Sequence, residues 1–285
     1  MAAPSASLER HLNELLDTFN FERQKAADPI RFSYAWSAGP DREVVAVFSA
    51  LLSYGRASLI GRAITEAVGR MGPSPAKAAQ TDDVEAAKAR FSGFVYRVTR
   101  GEDLARLWLG LGAVLRDHDT VGDALATWDD GAADLRGVLS ALRSAIYEAT
   151  PDFEYRRSFE HFFPAPERGS ACKRLNMLLR WMVRGPDSID FGDWSHLGSS
   201  RLTMPLDTHV HRIARYLGLT ERRQANWLTA VEITDGLRRL DHDDPLRYDF
   251  AIAHLGISGD CPTYRRADIC SGCPLNPVCQ LPEQS

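Results

Sequence analysis

The sequence predicts an all-α protein, and three observations support this prediction. Apolar residues recur at the spacing of a helix face along most of the 285 positions, which is the pattern of amphipathic helices. The connections between these stretches are rich in glycine, proline and aspartate, as in MGPSPAK and LDHDDP. No alternation of apolar and polar residues typical of a strand continues for more than a few positions. We therefore expect about ten helices without an internal repeat.

The predicted helices follow one another with short connections. In the first, over 7–20, one apolar stripe is made by Leu8, Leu12, Leu15, Leu16 and Phe19. The nearly all-apolar EVVAVFSALLSYG predicts a buried helix, with Asp41 as its N-cap and Gly55 at its end. The segment ASLIGRAITEAVGRMG is the next helix. Further helical patterns occupy 82–92, 102–116, 134–149, 171–184, 207–217, 224–240 and 245–256.

The composition is that of a globular protein without a membrane segment. Hydrophobic residues make up 44% and charged residues 25% of the chain, which is ordinary for a folded domain. No apolar run approaches the ~20 residues of a membrane span. The N-terminal MAAPSASLERHLNELL also lacks the apolar centre of a secretory signal. We expect a cytoplasmic protein with no membrane partner.

The charge is distributed unevenly along the chain. The formal net charge of −4 does not by itself indicate a nucleic-acid partner. Between Asp117 and Glu154, nine acidic residues stand against two arginines, whereas 156–184 carries seven basic and two acidic residues. The segment 201–223 carries five basic and two acidic residues. A basic half can present one face to a polyanion, but solvated helix surfaces explain the same counts, and charge alone does not decide.

Four cysteines lie close together in the C-terminal tail, 258–285, in the spacing C-x8-C-x2-C-x5-C. This tail has little apolar surface to bury, so its fold needs a cross-link such as a bound metal or a disulfide. Four nearby thiolates formed by Cys261, Cys270, Cys273 and Cys279 suit a [4Fe-4S] cluster. A single zinc ion is the alternative, although zinc ribbons bring together two C-x2-C pairs and this tail has only one. Disulfides do not fit a cytoplasmic protein.

Several stretches resemble the endonuclease III branch of the helix-hairpin-helix (HhH-GPD) DNA glycosylase superfamily, including its C-terminal cluster loop. The similar stretches are FSALLSYGRASLIGRAITEAVGRMG (48–72), CKRLNMLLRW (172–181), PLDTHVHRIARYLGL (205–219) and FAIAHLGISGDC (250–261). The gap of 34 positions between Lys173 and Asp207 is closer to that of archaeal 8-oxoguanine DNA glycosylases. A bacterial family of unassigned function that shares this signature fits the same features.

The resemblance implies roles for particular residues. Lys173 is expected to begin a helix, whose N-terminus disfavours the ammonium form, and to attack the C1′ atom of a damaged nucleotide. Asp207 is expected to stabilise the developing positive charge, although it also suits the N-cap of the helix that follows. The positions expected to contact DNA are Arg56, Gly169, Ser170, Arg174, His209 and Arg212.

One departure from the superfamily favours a different function. Its hairpin usually reads Leu-Pro-Gly-Val-Gly, whereas this chain has PAPERGSACK, with only Gly169 and Ser170 in its place. We therefore carry two main hypotheses. The first is a monomeric base-excision DNA glycosylase with AP lyase activity on damaged duplex or single-stranded DNA. The second is a noncatalytic nucleic-acid-binding protein that keeps the fold and the cluster. A third alternative is a zinc-stapled helical scaffold for protein contacts.

The resemblance also implies a two-lobed organisation. Residues 1–39 supply an N-terminal helix that joins the C-terminal lobe, and 40–150 form a central helical lobe. Residues 151–257 form the lobe that carries Lys173 and Asp207, and 258–285 form the cluster loop and tail. A cleft between the lobes is expected to receive an extruded nucleotide.

Overall fold

Helices account for 60% and strands for 2% of the protein in a computed structural model, which confirms the all-α class. The structure describes residues 6–282. The predicted amphipathic helices are present, with ends that shift by a few residues. In α1, for example, the predicted stripe buries Leu8, Leu12 and Leu15.

The helices follow one another in this order: α1 (Ala6–Thr18), α2 (Phe21–Lys25), α3 (Pro40–Leu52), α4 (Ala57–Gly69), α5 (Pro75–Thr81), α6 (Val84–Arg90), α7 (Gly101–Asp117), α8 (Val121–Thr127), α9 (Arg136–Glu148), α10 (Arg157–Phe162), α11 (Lys173–Val183), α12 (Thr208–Tyr216), α13 (Trp227–Arg238), α14 (Asp249–Ile257) and α15 (Ala267–Cys270). A 3-10 segment, Pro29–Ala35, precedes α3. A hairpin of β1 (Val95–Tyr96) and β2 (Thr99–Arg100) precedes α7.

The prediction for the start of α3 was wrong. The helix begins at Pro40 after Gly39, so Asp41 lies inside its first turn. The Asp41 carboxylate instead accepts a hydrogen bond from the backbone N–H of Ala76, at 2.7 Å, near the start of α5. The helix also ends at Leu52 rather than at Gly55. Asp41 therefore ties two helices together instead of capping its own.

Helix α3 lies at the centre of the molecule and is buried from Glu43 to Leu52. It packs against the 3-10 segment, α4, α5 and α11, while α7 packs against α5, α6 and α9. One continuous cluster of buried side chains runs from α1 to Leu275, beyond α14. The division of the chain at 39, 150 and 257 remains a prediction. Within 6–282, no helix is both long enough and apolar enough to cross a membrane.

Candidate functional site

The N-termini of α11 and α12 meet and bring Lys173 next to Asp207. Lys173 is the first residue of α11, and Asp207 is the N-cap of α12. The Nζ atom of Lys173 lies 3.6 Å from Oδ2 of Asp207, and the two side chains are 30% and 22% exposed. A lysine and a carboxylate that lie 34 positions apart in the sequence thus form one partly solvent-accessible pair.

Asp207 uses its two carboxylate oxygens differently. Its Oδ1 accepts hydrogen bonds from the backbone N–H groups of His209 and Val210, both at 2.9 Å. This is the N-cap interaction that the sequence predicted, and it satisfies two of the free N–H groups at a helix start. Oδ2 faces Nζ of Lys173. The cap therefore fixes the direction in which the second oxygen points.

The loop before α11 is held by the start of α13. Gly169 has a positive φ of 78°, and its carbonyl accepts a hydrogen bond from the N–H of Trp227 at 3.1 Å. Ser170 forms a backbone bridge with Asn226. The buried Cys172 also has a positive φ, 45°, and it immediately precedes Lys173. Gly169 and Ser170 are both exposed in this loop.

A cavity of about 660 Å³ opens beside the lysine–aspartate pair. Its walls come from the end of α2, the 3-10 segment, the α3–α4 loop and the starts of α4, α11 and α12, with the end of α14. The residues that line it include Gln24, Asp28, Phe32, Tyr54, Gly55, Lys173, Arg174, Met177, Asp207, His209 and His254. We call this cavity the cleft. Its volume is in the range of small-ligand sites.

A buried acid–histidine pair forms part of the cleft wall. His254 Nε2 lies 3.2 Å from Asp28 Oδ2, and the side chains are 6% and 12% exposed. Asp28 Oδ1 accepts a hydrogen bond from the N–H of Ile30 at 2.9 Å. Burial raises the pKa of Asp28, but the hydrogen bond from His254, the charge of Arg180 and the Ile30 amide together hold it below its ordinary value. Asp28 is therefore a carboxylate with both oxygens in use.

The sequence did not indicate that Asp28 and His254 form a pair, and the reason is physical. Asp28 and His254 lie 226 positions apart, so no local pattern relates them. His254 stands in the apolar FAIAHLGI, where a histidine is expected to be a core residue. The apolar stretch around His254 was the one signal that could have found the pair, because a buried imidazole requires a hydrogen-bond partner.

The β-hairpin contacts the α3–α4 loop, which forms part of the cleft wall. Tyr54 Oη is 2.9 Å from the carbonyl oxygen of Tyr96 and 2.8 Å from Thr99 Oγ1. The rings of Tyr54 and Tyr96 lie 4.9 Å apart. Gly55 has a φ of +99°, and a Cβ atom there would lie 3.1 Å from Arg97 Nη1. The hairpin thus brings the exposed Arg97 close to Gly55.

The residues predicted to contact DNA have different environments. Arg56 is exposed at the start of α4, as Gly169 and Ser170 are before α11. His209 lines the cleft and packs closely against Gly256. Arg174 and Arg212 are instead bound to the chain itself. Contact with DNA remains a prediction for all six.

The two internal arginines hold backbone carbonyls. Arg174 donates to the carbonyl oxygens of Leu51 and His161, and its guanidinium lies 4.9 Å from the Tyr54 ring. Burial lowers the pKa of Arg174 to about 10, so it stays charged at neutral pH. Arg212 Nη2 donates to the carbonyl oxygen of Cys261 at 2.7 Å. Both side chains therefore have structural partners, which their positions in basic segments did not indicate.

The four tail cysteines do not form an assembled ligand set. Burial raises the pKa of the Cys261 thiol to about 11; Arg212 lowers it, and the charges of the other three tail cysteines raise it further. Across 6–282, no group of three or more His, Cys, Asp or Glu side chains is arranged to hold a metal ion. The [4Fe-4S] cluster remains a prediction.

The chain belongs to the family described as "Protein of unknown function (DUF2400)", whose model matches residues 28–258. The match begins at Asp28 and ends just past His254, so it includes both residue pairs of the cleft and ends before Cys261. No curated protein and no solved structure matches the chain.

Proposed function

We propose that the protein is a base-excision DNA glycosylase with AP lyase activity, related to the helix-hairpin-helix superfamily and acting as a monomer on damaged duplex or single-stranded DNA. The observation that supports this proposal is the Lys173–Asp207 pair, with Nζ 3.6 Å from Oδ2, in the wall of a cleft of about 660 Å³. An amine beside a carboxylate is a suitable nucleophile and proton acceptor for attack at C1′.

In the proposed reaction, Lys173 Nζ forms a bond to C1′ while the C1′–N bond breaks and its electron pair leaves with the base. The departing base takes up a proton, and Asp207 Oδ2 accepts one from Nζ. Before Asp207 accepts this proton, its negative charge stabilises the positive charge that develops on the sugar. The proton on Asp207 then passes to O4′ as the sugar ring opens to a Schiff base. Loss of a C2′ proton breaks the C3′–O bond, so the 3′ phosphate leaves and the strand is cut. Water releases the lysine.

We also propose that Cys261, Cys270, Cys273 and Cys279 bind a [4Fe-4S] cluster. Their spacing within the tail supports this, because such a cluster is held by four thiolates. When bound, the cluster would hold the tail against the helical body. Arg212 contributes to that junction through its hydrogen bond to Cys261. Zinc bound by the same thiolates is the alternative.

A noncatalytic DNA-binding protein is the second candidate, and the loop before α11 favours it. The superfamily hairpin sequence is absent there, and the backbone of Gly169 and Ser170 pairs with the start of α13. Those backbone groups are then less free to bind phosphate. The two candidates make opposite predictions for covalent chemistry.

Borohydride trapping distinguishes the two candidates. We expect a covalent protein–DNA adduct on at least one member of a panel of damaged duplexes and single strands that includes an abasic site. Borohydride reduces the Schiff base to a stable amine. Lys173→Gln should abolish the adduct while DNA binding persists, because one charge among many phosphate contacts is lost. DNA binding without an adduct on any substrate would establish the noncatalytic candidate instead.

A further inference from the structure

The Asp28–His254 pair has a defined hydrogen-bond polarity. Asp28 is ionised and can only accept hydrogen bonds, so the Nε2 atom of His254, at 3.2 Å, must carry a hydrogen. The second oxygen of Asp28 is taken by the Ile30 N–H, which prevents the carboxylate from turning away. Of the two neutral tautomers of His254, Asp28 therefore favours the one in which Nδ1 carries a lone pair.

Nδ1 of His254 makes no hydrogen bond with the described residues, and it is not one of the fully buried polar atoms that lack a partner. This atom is therefore accessible to a hydrogen-bond donor from outside the chain. His254 lines the cleft that also contains Lys173 and Asp207. The cleft is thus where a ligand group can complete the hydrogen bonding of this ring.

The neighbouring residues suit a planar heterocycle. Phe32 and Met177 contribute apolar side chains to the same cleft, and Gln24 contributes an amide. Aromatic and thioether groups pack against ring faces, while the amide offers both a donor and an acceptor to a ring edge. An extruded base is read in this way, by stacking on its faces and hydrogen bonds to its edge.

We infer that Asp28 and His254 form the base-recognition end of the cleft, where His254 Nδ1 accepts a hydrogen bond from an N–H group of the extruded base. This inference rests on the proposed glycosylase function and deepens it. The substrate class is a base that presents an N–H donor at its edge, as an exocyclic amine or a protonated ring nitrogen. Asp28 acts through His254 and is a positioning residue.

Binding of two matched duplexes tests the inference. One carries a single mispaired 2-aminopurine, which has an N–H donor and fluoresces more strongly when unstacked, and the other carries unsubstituted purine, which has no N–H donor. We expect about tenfold tighter binding of the 2-aminopurine duplex, the effect of one hydrogen bond. Equal affinity of the wild-type protein for the two duplexes would overturn the inference.

Two substitutions change the hydrogen-bonding role of His254 Nδ1, the atom proposed to recognise the base. Asp28→Asn keeps an oxygen for the Ile30 N–H but presents an amide N–H to His254 Nε2, so Nδ1 becomes a donor. His254→Gln can still donate to Asp28 but lacks the Nδ1 acceptor. Both variants should lose the tenfold preference, and Asp28→Asn should favour purine instead. The control is His242→Gln, which changes an exposed histidine and should keep the preference.

Two further measurements separate this inference from the proposed function. The ¹⁵N spectrum of the histidine rings, with the His254 signal assigned by its loss in His254→Gln, should show hydrogen on Nε2 in the wild type and on Nδ1 in Asp28→Asn. An unchanged tautomer would contradict the positioning role of Asp28. The affinity of each variant for an abasic-site duplex is the reference for its affinities for the two base-containing duplexes. Borohydride trapping on the abasic duplex tests Lys173 alone, because no base is present. If trapping fails while the base preference remains, the proposed chemistry is wrong and the base-recognition inference stands.

Discussion

Lys173 and Asp207 each begin a helix, and their charged atoms, Nζ and Oδ2, approach to 3.6 Å. The other oxygen of Asp207 caps α12 through His209 and Val210. One side chain thus combines a structural interaction with a position next to the proposed nucleophile. Because these two tasks use different oxygen atoms, substitutions can separate them.

Asp207→Asn should keep the helix-cap hydrogen bonds of this residue and remove its negative charge. Asparagine caps a helix about as well as aspartate, so the free energy of unfolding should change by no more than about 0.5 kcal/mol. The trapping rate should fall by about 10²-fold, because one electrostatic stabiliser is lost. Denaturant unfolding and single-turnover trapping measure the two effects. Asp83→Ala is the matched control: it removes the cap of α6 and should cost about 1 kcal/mol of stability without slowing trapping.

The purified protein should be brown, with about four irons and four sulfides per chain. Cys270→Ser should lose iron and solubility, because one of the four proposed cluster ligands is removed. Cys172→Ser, which changes the buried cysteine outside the tail, should retain the iron. Metal analysis and the visible absorption spectrum measure this. One zinc per chain in a colourless protein would contradict the prediction and favour the zinc alternative.

DNA affinity should fall steeply as salt rises, because neutralised phosphates release counterions. Arg56→Ala removes an exposed cation next to the cleft, since its neighbour Gly55 lines it. This substitution should reduce the slope of log K against log salt by about one. Lys77→Ala changes an exposed cation that does not line the cleft and should leave the slope unchanged. Fluorescence anisotropy titrations at several salt concentrations measure both slopes, and equal slopes would argue against Arg56 as a phosphate contact.

Arg212→Ala should act mainly on stability. The substitution leaves the carbonyl oxygen of Cys261 without its donor, which costs about 1–2 kcal/mol. Arg215→Ala, which changes an exposed arginine on the same helix, is the control and should change stability by less than about 0.5 kcal/mol. Denaturant unfolding of both variants tests this. A DNA affinity that falls in Arg212→Ala with unchanged stability would instead support phosphate contact.

Asp82 should contribute to stability above pH 4 and lose that contribution in acid. Its hydrogen bond with Arg90 lowers the pKa below the ordinary 3.8, burial opposes this, and the Trp108 N–H lowers it again. Because the folded-state pKa is depressed, the stabilisation is complete above about pH 4 and disappears as pH falls through the folded-state value. Asp82→Asn should flatten the dependence of unfolding free energy on pH between about 2 and 4. The exposed Asp119→Asn controls for the loss of one charge.

The long helices could be predicted from sequence because each buries one face, as α1 does with Leu8, Leu12 and Leu15. The short elements could not. The Gly-Pro-rich MGPSPAK predicts a connection where α5 begins, and α8 and the β-hairpin are too short for periodicity to be visible. The start of α3 was misplaced because the Asp41 carboxylate is taken by Ala76, a contact that depends on tertiary structure.

At the candidate site, too, only local interactions could be predicted from the sequence. Asp207 as a helix cap is a local interaction, and the sequence predicted it correctly. The environments of Arg174 and Arg212 could not be predicted, because charge counts do not reveal which guanidinium groups bind carbonyls of the chain. Proximity between Lys173 and Asp207 was implied by family resemblance alone, since helix patterns carry no information about which helix ends meet.

The hydrogen bond between Asp28 and His254 closes a loop of 226 positions, and this has a consequence for the order in which the protein matures. During synthesis, the chain emerges from its N-terminus, so Lys173 and Asp207 are available well before α14. A growing chain can therefore bring its amine and carboxylate together while one wall of the cleft is still missing. Such long-range closure is slow because it costs loop entropy. We therefore expect the finished cleft to be among the last features to form, and a chain that ends before α14 would expose Lys173 without the residues that enclose it.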